Sequence, residues 1–196
     1  MLVLAADTSL PLLSVALLRD GALIGAVALE GKDSRNEKLL PAIDWLLSES
    51  GIDRHAIDLF AVTRGPGSFI GVRIGLATVQ GLALALDKPV CAMSTHEAIA
   101  GTNTVTIVDD AGRGEFYVSR FENGREIEAP HLAREAAPGA LHVAHFIQAQ
   151  NVAAFCGWRA EQIAASGDLA RYSDITPIYV RLAEAEVKLQ QRSGAR

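Results

Sequence analysis

The sequence predicts an α/β fold of two lobes, and three observations predict it. Short apolar strand-like segments and one-sided helical segments alternate through residues 1–100. A glycine-rich turn at residues 64–69 joins a strand directly to a helix. A new meander of strand candidates then opens a smaller second lobe over residues 101–196. Of the 196 residues 49% are hydrophobic, enough to bury a real core.

Residues 2–6, 14–18 and 22–29 are short apolar segments separated by Asp7-Thr8-Ser9-Leu10-Pro11 and Arg19-Asp20-Gly21, so they read as a three-stranded meander. Residues 36–50 carry Leu39, Leu40, Ile43, Leu46 and Leu47 in a one-sided helical pattern that stops at Gly51. Pro41 belongs in or near the first turn of that helix, or kinks it. Residues 57–63 form a strand feeding the glycine-rich turn, and residues 71–86 a helix that Asp87-Lys88-Pro89 breaks. Residues 89–92 give the next strand. In the second lobe, residues 104–108 and 116–121 are strands around a turn at 109–114 and residues 152–156 another strand. Residues 158–165 read as a short helix and 182–191 as a terminal helix, which would pack back on the first lobe.

Gly67, Gly71 and Gly75 recur every fourth residue, which lines one side of a helix with a smooth strip. Each glycine costs a helix about 1 kcal/mol against alanine, so the strip needs a compensating gain. Three gains fit: close approach of a partner helix, a phosphate cradle at the helix N-terminus, or packing within the chain. The segment lacks the Lys-Ser/Thr ending of a P-loop and the spacing of a dinucleotide fingerprint. Ser68 is placed to cap the helix. Arg64 and Arg73 flank the loop, available to phosphate or to acidic groups on a partner. Trp45, on the flank of the first helix, is an interface anchor or a core residue.

No catalytic or metal site is expected. His55, His96, His131, His142 and His145 form no His-Glu-x-x-His pattern, and Ser68 does not stand in Gly-x-Ser-x-Gly. Asp109 and Asp110 could hold magnesium through water but read more simply as turn residues. Cys91 and Cys156 lack metal or redox spacing and read as small core residues. A net charge of −5 with 6% aromatic residues argues against a stand-alone RNA-binding surface. The N-terminus has no basic leader, and the apolar stretch around residues 81–86 falls far short of a membrane span, so a cytoplasmic protein is expected.

Asp7-Thr8-Ser9 resembles the first phosphate-binding hairpin of the actin-like and sugar-kinase-like ATPases, and equally an Asx-turn that closes a hairpin. Together with Leu39-Leu40-Pro41, the 64–75 segment, Gly114-Glu115-Phe116-Tyr117 and Ile178-Tyr179-Val180-Arg181, it makes the chain resemble the TsaB (YeaZ) family, paralogues of TsaD. The resemblance implies an actin-like (RNase H-like) α/β fold, each lobe a mixed sheet flanked by helices, the second reduced. It implies a non-catalytic subunit that binds and stabilises TsaD, with TsaE, for threonylcarbamoylation of the tRNA adenosine beside the anticodon. It also implies a homodimer where TsaD is absent, and contact with tRNA only through the complex. The interface would transfer to the two N-terminal helices, with Leu39, Leu40, Ile43, Trp45, Gly67, Gly71, Arg73, Gly75 and Thr78 as its residues. Asp7, Thr8 and Ser9 would be a vestigial nucleotide-type loop, with no cofactor of its own and ATP or ADP binding at most weak or shared in the complex. The rival reading is an ATP-binding or metal-dependent hydrolase or peptidase of the glycoprotease-like superfamily. The chain departs from the family in carrying Arg35 where His is usual, which removes a metal role there, and in a shorter second lobe.

Overall fold

A computed structural model of the chain describes residues 1–30 and 35–181. Strands β1 (Leu2–Asp7), β2 (Leu12–Arg19) and β3 (Ala22–Glu30) form the expected meander. Its second turn is Asp20-Gly21, both with positive φ. Helix α1 (Arg35–Glu49) buries Leu39, Ile43, Leu46 and Leu47. Pro41 lies inside this helix on its exposed side, so it forgoes the single bond that its missing N–H would have made to the Glu37 carbonyl. Strand β4 (Leu59–Thr63) leads to α2 (Phe69–Leu86), where the Ser68 Oγ accepts from the Gly71 N–H at 3.2 Å and caps the helix as predicted. Asp87, in a left-handed conformation, ends α2, and β5 (Val90–Met93) and α3 (Thr95–Ala100) follow.

The first sheet has the order β3-β2-β1-β4-β5, with β1, β2 and β3 antiparallel and β4 and β5 parallel to β1. This is the arrangement of the actin-like, RNase H-like fold. Helices α1 and α2 cover one face, in a core that includes Leu4, Leu13, Ile43, Val62 and Leu76. Helix α2 is 18 residues long with a mean hydropathy of 1.7, span-like by composition. Its inward residues Val72, Leu76, Val79 and Ala83 are core residues beneath the sheet.

The second sheet, β8-β7-β6-β9, is mixed: β6 (Val105–Gly112), β7 (Glu115–Glu122) and β8 (Arg125–Ala133) are antiparallel, and β9 (Leu141–His142) is parallel to β6. Helices α4 (Val143–Ala149) and α5 (Val152–Ser166) follow. A third core joins the lobes, with Leu10 and Ile99 from the first meeting Ile107, Phe121 and Val143 of the second.

Residues 152–156 are the first turns of α5, not the expected strand. Asn151 caps the helix, accepting from the Ala154 N–H at 2.9 Å. The run looked continuous because α5 packs Ala153, Cys156 and Ala160 against Val3, Ala5, Ala16 and Leu18 on the second face of the first sheet. Gly157 makes this approach possible, since a Cβ there would collide with Leu18. Strands β6 and β7 also run further than expected, so Asp109 and Asp110 lie within β6 and only Arg113-Gly114 forms the turn. The predicted helix at 182–191 lies outside the described residues.

Candidate functional site

The residues after β1 fold into a closed polar knot. Asp7, Thr8 and Ser9 are each no more than 2% exposed. The Asp7 Oδ1 accepts from the Ser9 N–H at 3.2 Å, from the Ser9 hydroxyl at 2.6 Å, and from the Thr63 hydroxyl of β4. The Ser9 Oγ also lies 2.9 Å from the Thr95 Oγ1. Burial pushes the Asp7 carboxyl above its ordinary pKa, against the hydrogen bonds from Ser9 and Thr63. Its Oδ2 is buried without a partner.

This knot explains the glycine strip. The Thr8 hydroxyl donates to the Gly71 carbonyl at 2.6 Å, and the Ser68 N–H donates to the Ser9 carbonyl at 2.7 Å. Gly67, at φ 149°, stands against the Ser9 carbonyl, and Gly75 against the Thr8 hydroxyl, so a Cβ at either position would collide. Gly67, Gly71 and Gly75 therefore face the chain's own turn. At Gly67 and Gly75 the gain that offsets the glycines is packing within the chain. Leu39 and Ile43 are also core residues rather than surface ones.

The remaining interface candidates lie outward. Leu40 is 46% exposed and Trp45 55%, Arg73 is exposed and Thr78 half-buried. Beside them α2 shows an apolar outer side that sequence reasoning missed: Ile70 (67% exposed), Ala77, Gly81 and Leu84 (82% exposed). Their spacing is a usable signal in the sequence, but the glycine strip on the same helix competes with it for the outer face.

Residues 174–181 tie this region together. Arg64 Nη1 donates to Asp174 and to the Thr176 carbonyl, each at 3.1 Å, and the Ile178 N–H donates to the Arg64 carbonyl at 2.7 Å. Tyr179 stacks on Phe69 at 4.9 Å, and its hydroxyl accepts from Arg73 Nε at 2.6 Å. Arg181 pairs with Glu115 of β7. The Ile178-Tyr179-Val180-Arg181 motif thus braces the first lobe against the second.

Ionisable groups also gather elsewhere. Beside the end of β5 a cleft of about 930 Å³ is lined by Arg64, Glu97, Arg125, Glu126 and Arg159. Its Glu97 is already engaged, accepting from the Tyr172 hydroxyl at 2.6 Å and from Arg159 at 3.3 Å. His96 is wholly buried between α3 and β7, its Nδ1 2.6 Å from the Ser119 Oγ, and burial lowers its pKa to about 3. Burial, with the charges of Asp110 and Asp7 nearby, pushes Asp109 up to about 6. Among the described residues no group of three His, Cys, Asp or Glu side chains is placed to hold a metal ion. His142 and His145, whose rings are 5.8 Å apart, form only a pair.

The family model described as TsaD, tRNA N6-adenosine threonylcarbamoyltransferase, matches residues 29–183. The chain belongs to this family. Within it the chain stands with the TsaB (YeaZ) proteins. It is 35% identical to the tRNA threonylcarbamoyladenosine biosynthesis protein TsaB of Escherichia coli K12 over 152 residues, 69% of this chain and 65% of that protein. It is 33% identical to TsaB of Bacillus subtilis 168 over 131 residues, 63% of this chain and 57% of that protein. In both alignments the chain spans less than two thirds of the relative's length. YeaZ from Pseudomonas aeruginosa superposes with a TM-score of 0.70 at 29% identity, covering 91% of this chain and 99% of that one. A Pseudomonas aeruginosa protein described as similar to peptidase YeaZ superposes at 0.73, again at 29% identity, covering 92% and 99%.

Proposed function

We propose that the chain is a non-catalytic scaffold subunit of the tRNA N6-threonylcarbamoyladenosine machinery, binding and stabilising a TsaD homologue, together with a TsaE homologue, in the cytoplasm. The observation that carries this reading is the outer side of α2. Ile70, Ala77, Gly81 and Leu84 make an apolar surface that the described residues leave uncovered, and Leu40 of α1 is exposed as well, whereas Trp45 lines a groove over β3 with Val27 and Leu29. Contiguous apolar surface of this kind marks association sites. In the absence of the TsaD homologue the same surface pairs two copies of this chain.

The closed knot at Asp7 supports the same reading. A phosphate site needs free backbone donors, whereas the Ser9 N–H is held by Asp7 and the Ser68 N–H by the Ser9 carbonyl. Nucleotide binding is then weak or shared with the partner. The net charge of −5 supports contact with tRNA through the complex alone.

The test is light scattering after size exclusion, on the chain alone and mixed with the TsaD homologue of the same organism, beside a tRNA threonylcarbamoylation assay. A heterodimer, with modification only in the complete mixture, is expected. A chain that ignores the TsaD homologue and by itself hydrolyses ATP or peptide would instead establish the hydrolase reading.

A further inference from the structure

Arg73 is the only charged residue of α2, and the helix carries no acid at all. Its guanidinium carbon lies 3.9 Å from the centre of the Phe69 ring and 5.5 Å from that of Tyr179, while its Nε is held by the Tyr179 hydroxyl. No carboxylate among the described residues pairs with it. The clamp fixes the plane of the fork and uses one of its five N–H donors, leaving the four on Nη1 and Nη2. It stands at the head of the exposed apolar stripe, one turn from Ile70.

We infer that Arg73 is the specificity anchor of the α2 docking face, and that its occupant is a partner helix whose apolar stripe ends in an Asp or Glu carboxylate. This rests on the scaffold reading above and adds to it a reason for preferring an unlike partner over a second copy. Two α2 helices laid against each other bring two arginines and no acid to the seam, so α2 of a second copy offers Arg73 nothing to pair with and only acids of its α1, such as Glu37 and Asp44, remain. A partner helix with an acid at that register gains a bidentate, aromatic-backed pair. Arginine flanked by aromatic rings is also the composition of interface hot spots.

The experiment measures the Kd for the TsaD homologue at low and high salt, and self-association of the chain by sedimentation, for the wild type and Arg73→Ala, Arg73→Lys and Leu84→Arg. Far-UV circular dichroism and melting confirm that each is folded. Arg73→Ala is expected to weaken the heterocomplex about tenfold or more and to remove most of its salt dependence. Arg73→Lys, which keeps the charge but not the fork, recovers only part. Self-association of Arg73→Ala stays level or tightens. Wild-type affinity and salt dependence in Arg73→Ala, with Leu84→Arg abolishing the complex, would overturn the anchor while keeping the docking face. An unaffected complex in Leu84→Arg would overturn both. A loss of self-association equal to the loss of the heterocomplex in Arg73→Ala would overturn the preference for an unlike partner.

Discussion

Gly75 of α2 rests directly on the side chain of Thr8, with the Thr8 hydroxyl occupying the space a Cβ would need. Gly75→Ala therefore overfills a buried contact, at a cost of about 1–3 kcal/mol, against a helix-propensity gain of about 1 kcal/mol. A net loss of stability is expected in urea unfolding. In a Thr8→Ala background the obstacle is gone, and the same substitution becomes neutral or stabilising. An unchanged cost in that background would mean that the two residues are not in contact.

Gly157 bears the same relation to Leu18 on the opposite face of the sheet. Gly157→Val lifts α5 from β2 and is expected to lower stability by about 1–3 kcal/mol or more. Shortening the opposing side chain with Leu18→Ala should recover part of the loss, and a double-mutant cycle reads the coupling.

His96 and Asp109 push the acid response in opposite directions. The His96 pKa is about 3 when folded against an ordinary 6.5, so between those values the unfolded chain binds a proton the folded chain refuses. Its contribution is complete above pH 6.5 and is lost as pH falls toward 3, at about 1.4 kcal/mol per pH unit inside the window. Asp109, at about 6 against 3.8, binds its proton more tightly when folded, so stability rises as pH falls from 6 to about 4. His96→Gln should flatten the decline of melting temperature below pH 6.5. Asp109→Asn should stabilise the chain at pH 7 and steepen that decline. The opposite slopes would contradict both assignments.

Burial pushes the Cys91 thiol up to about 12 and Cys156 well above its ordinary range. Neither should react with a thiol reagent at pH 8 in the native chain, and both should react once it is unfolded. Rapid labelling of the native protein would show that the core opens locally.

The first lobe was largely legible because its punctuation is local. Asp20-Gly21 fixes a turn, Ser68 caps a helix, and Asp87 and Pro89 end it, whatever the rest of the chain does. The direction of the glycine strip was not legible, because what it faces, Thr8 and Ser9, stands far away in sequence, 63 residues for the Thr8–Gly71 bond. The run from Val152 to Cys156 reads alike for a buried strand and a buried helix, and only the sheet that receives α5 decides between them. Strand β8 was invisible for another reason. It is an edge strand carrying Arg125, Glu126, Glu128 and Pro130, whose charged and proline-bearing sequence suits an exposed edge and conceals the strand pattern. Among the histidines, His96 had no motif around it, and its role rests on Ser119 in another lobe.

The packing of α5 on the first sheet also sets an order of events during synthesis. One face of β1 and β2 is finished only by residues that the ribosome makes much later, on the order of ten seconds at ordinary elongation rates. Until then Val3, Ala5, Ala16 and Leu18 lack the α5 side chains that pack on them. A stalled or truncated product that ends before α5 thus carries an open apolar sheet, the kind of surface that makes incomplete chains prone to aggregate.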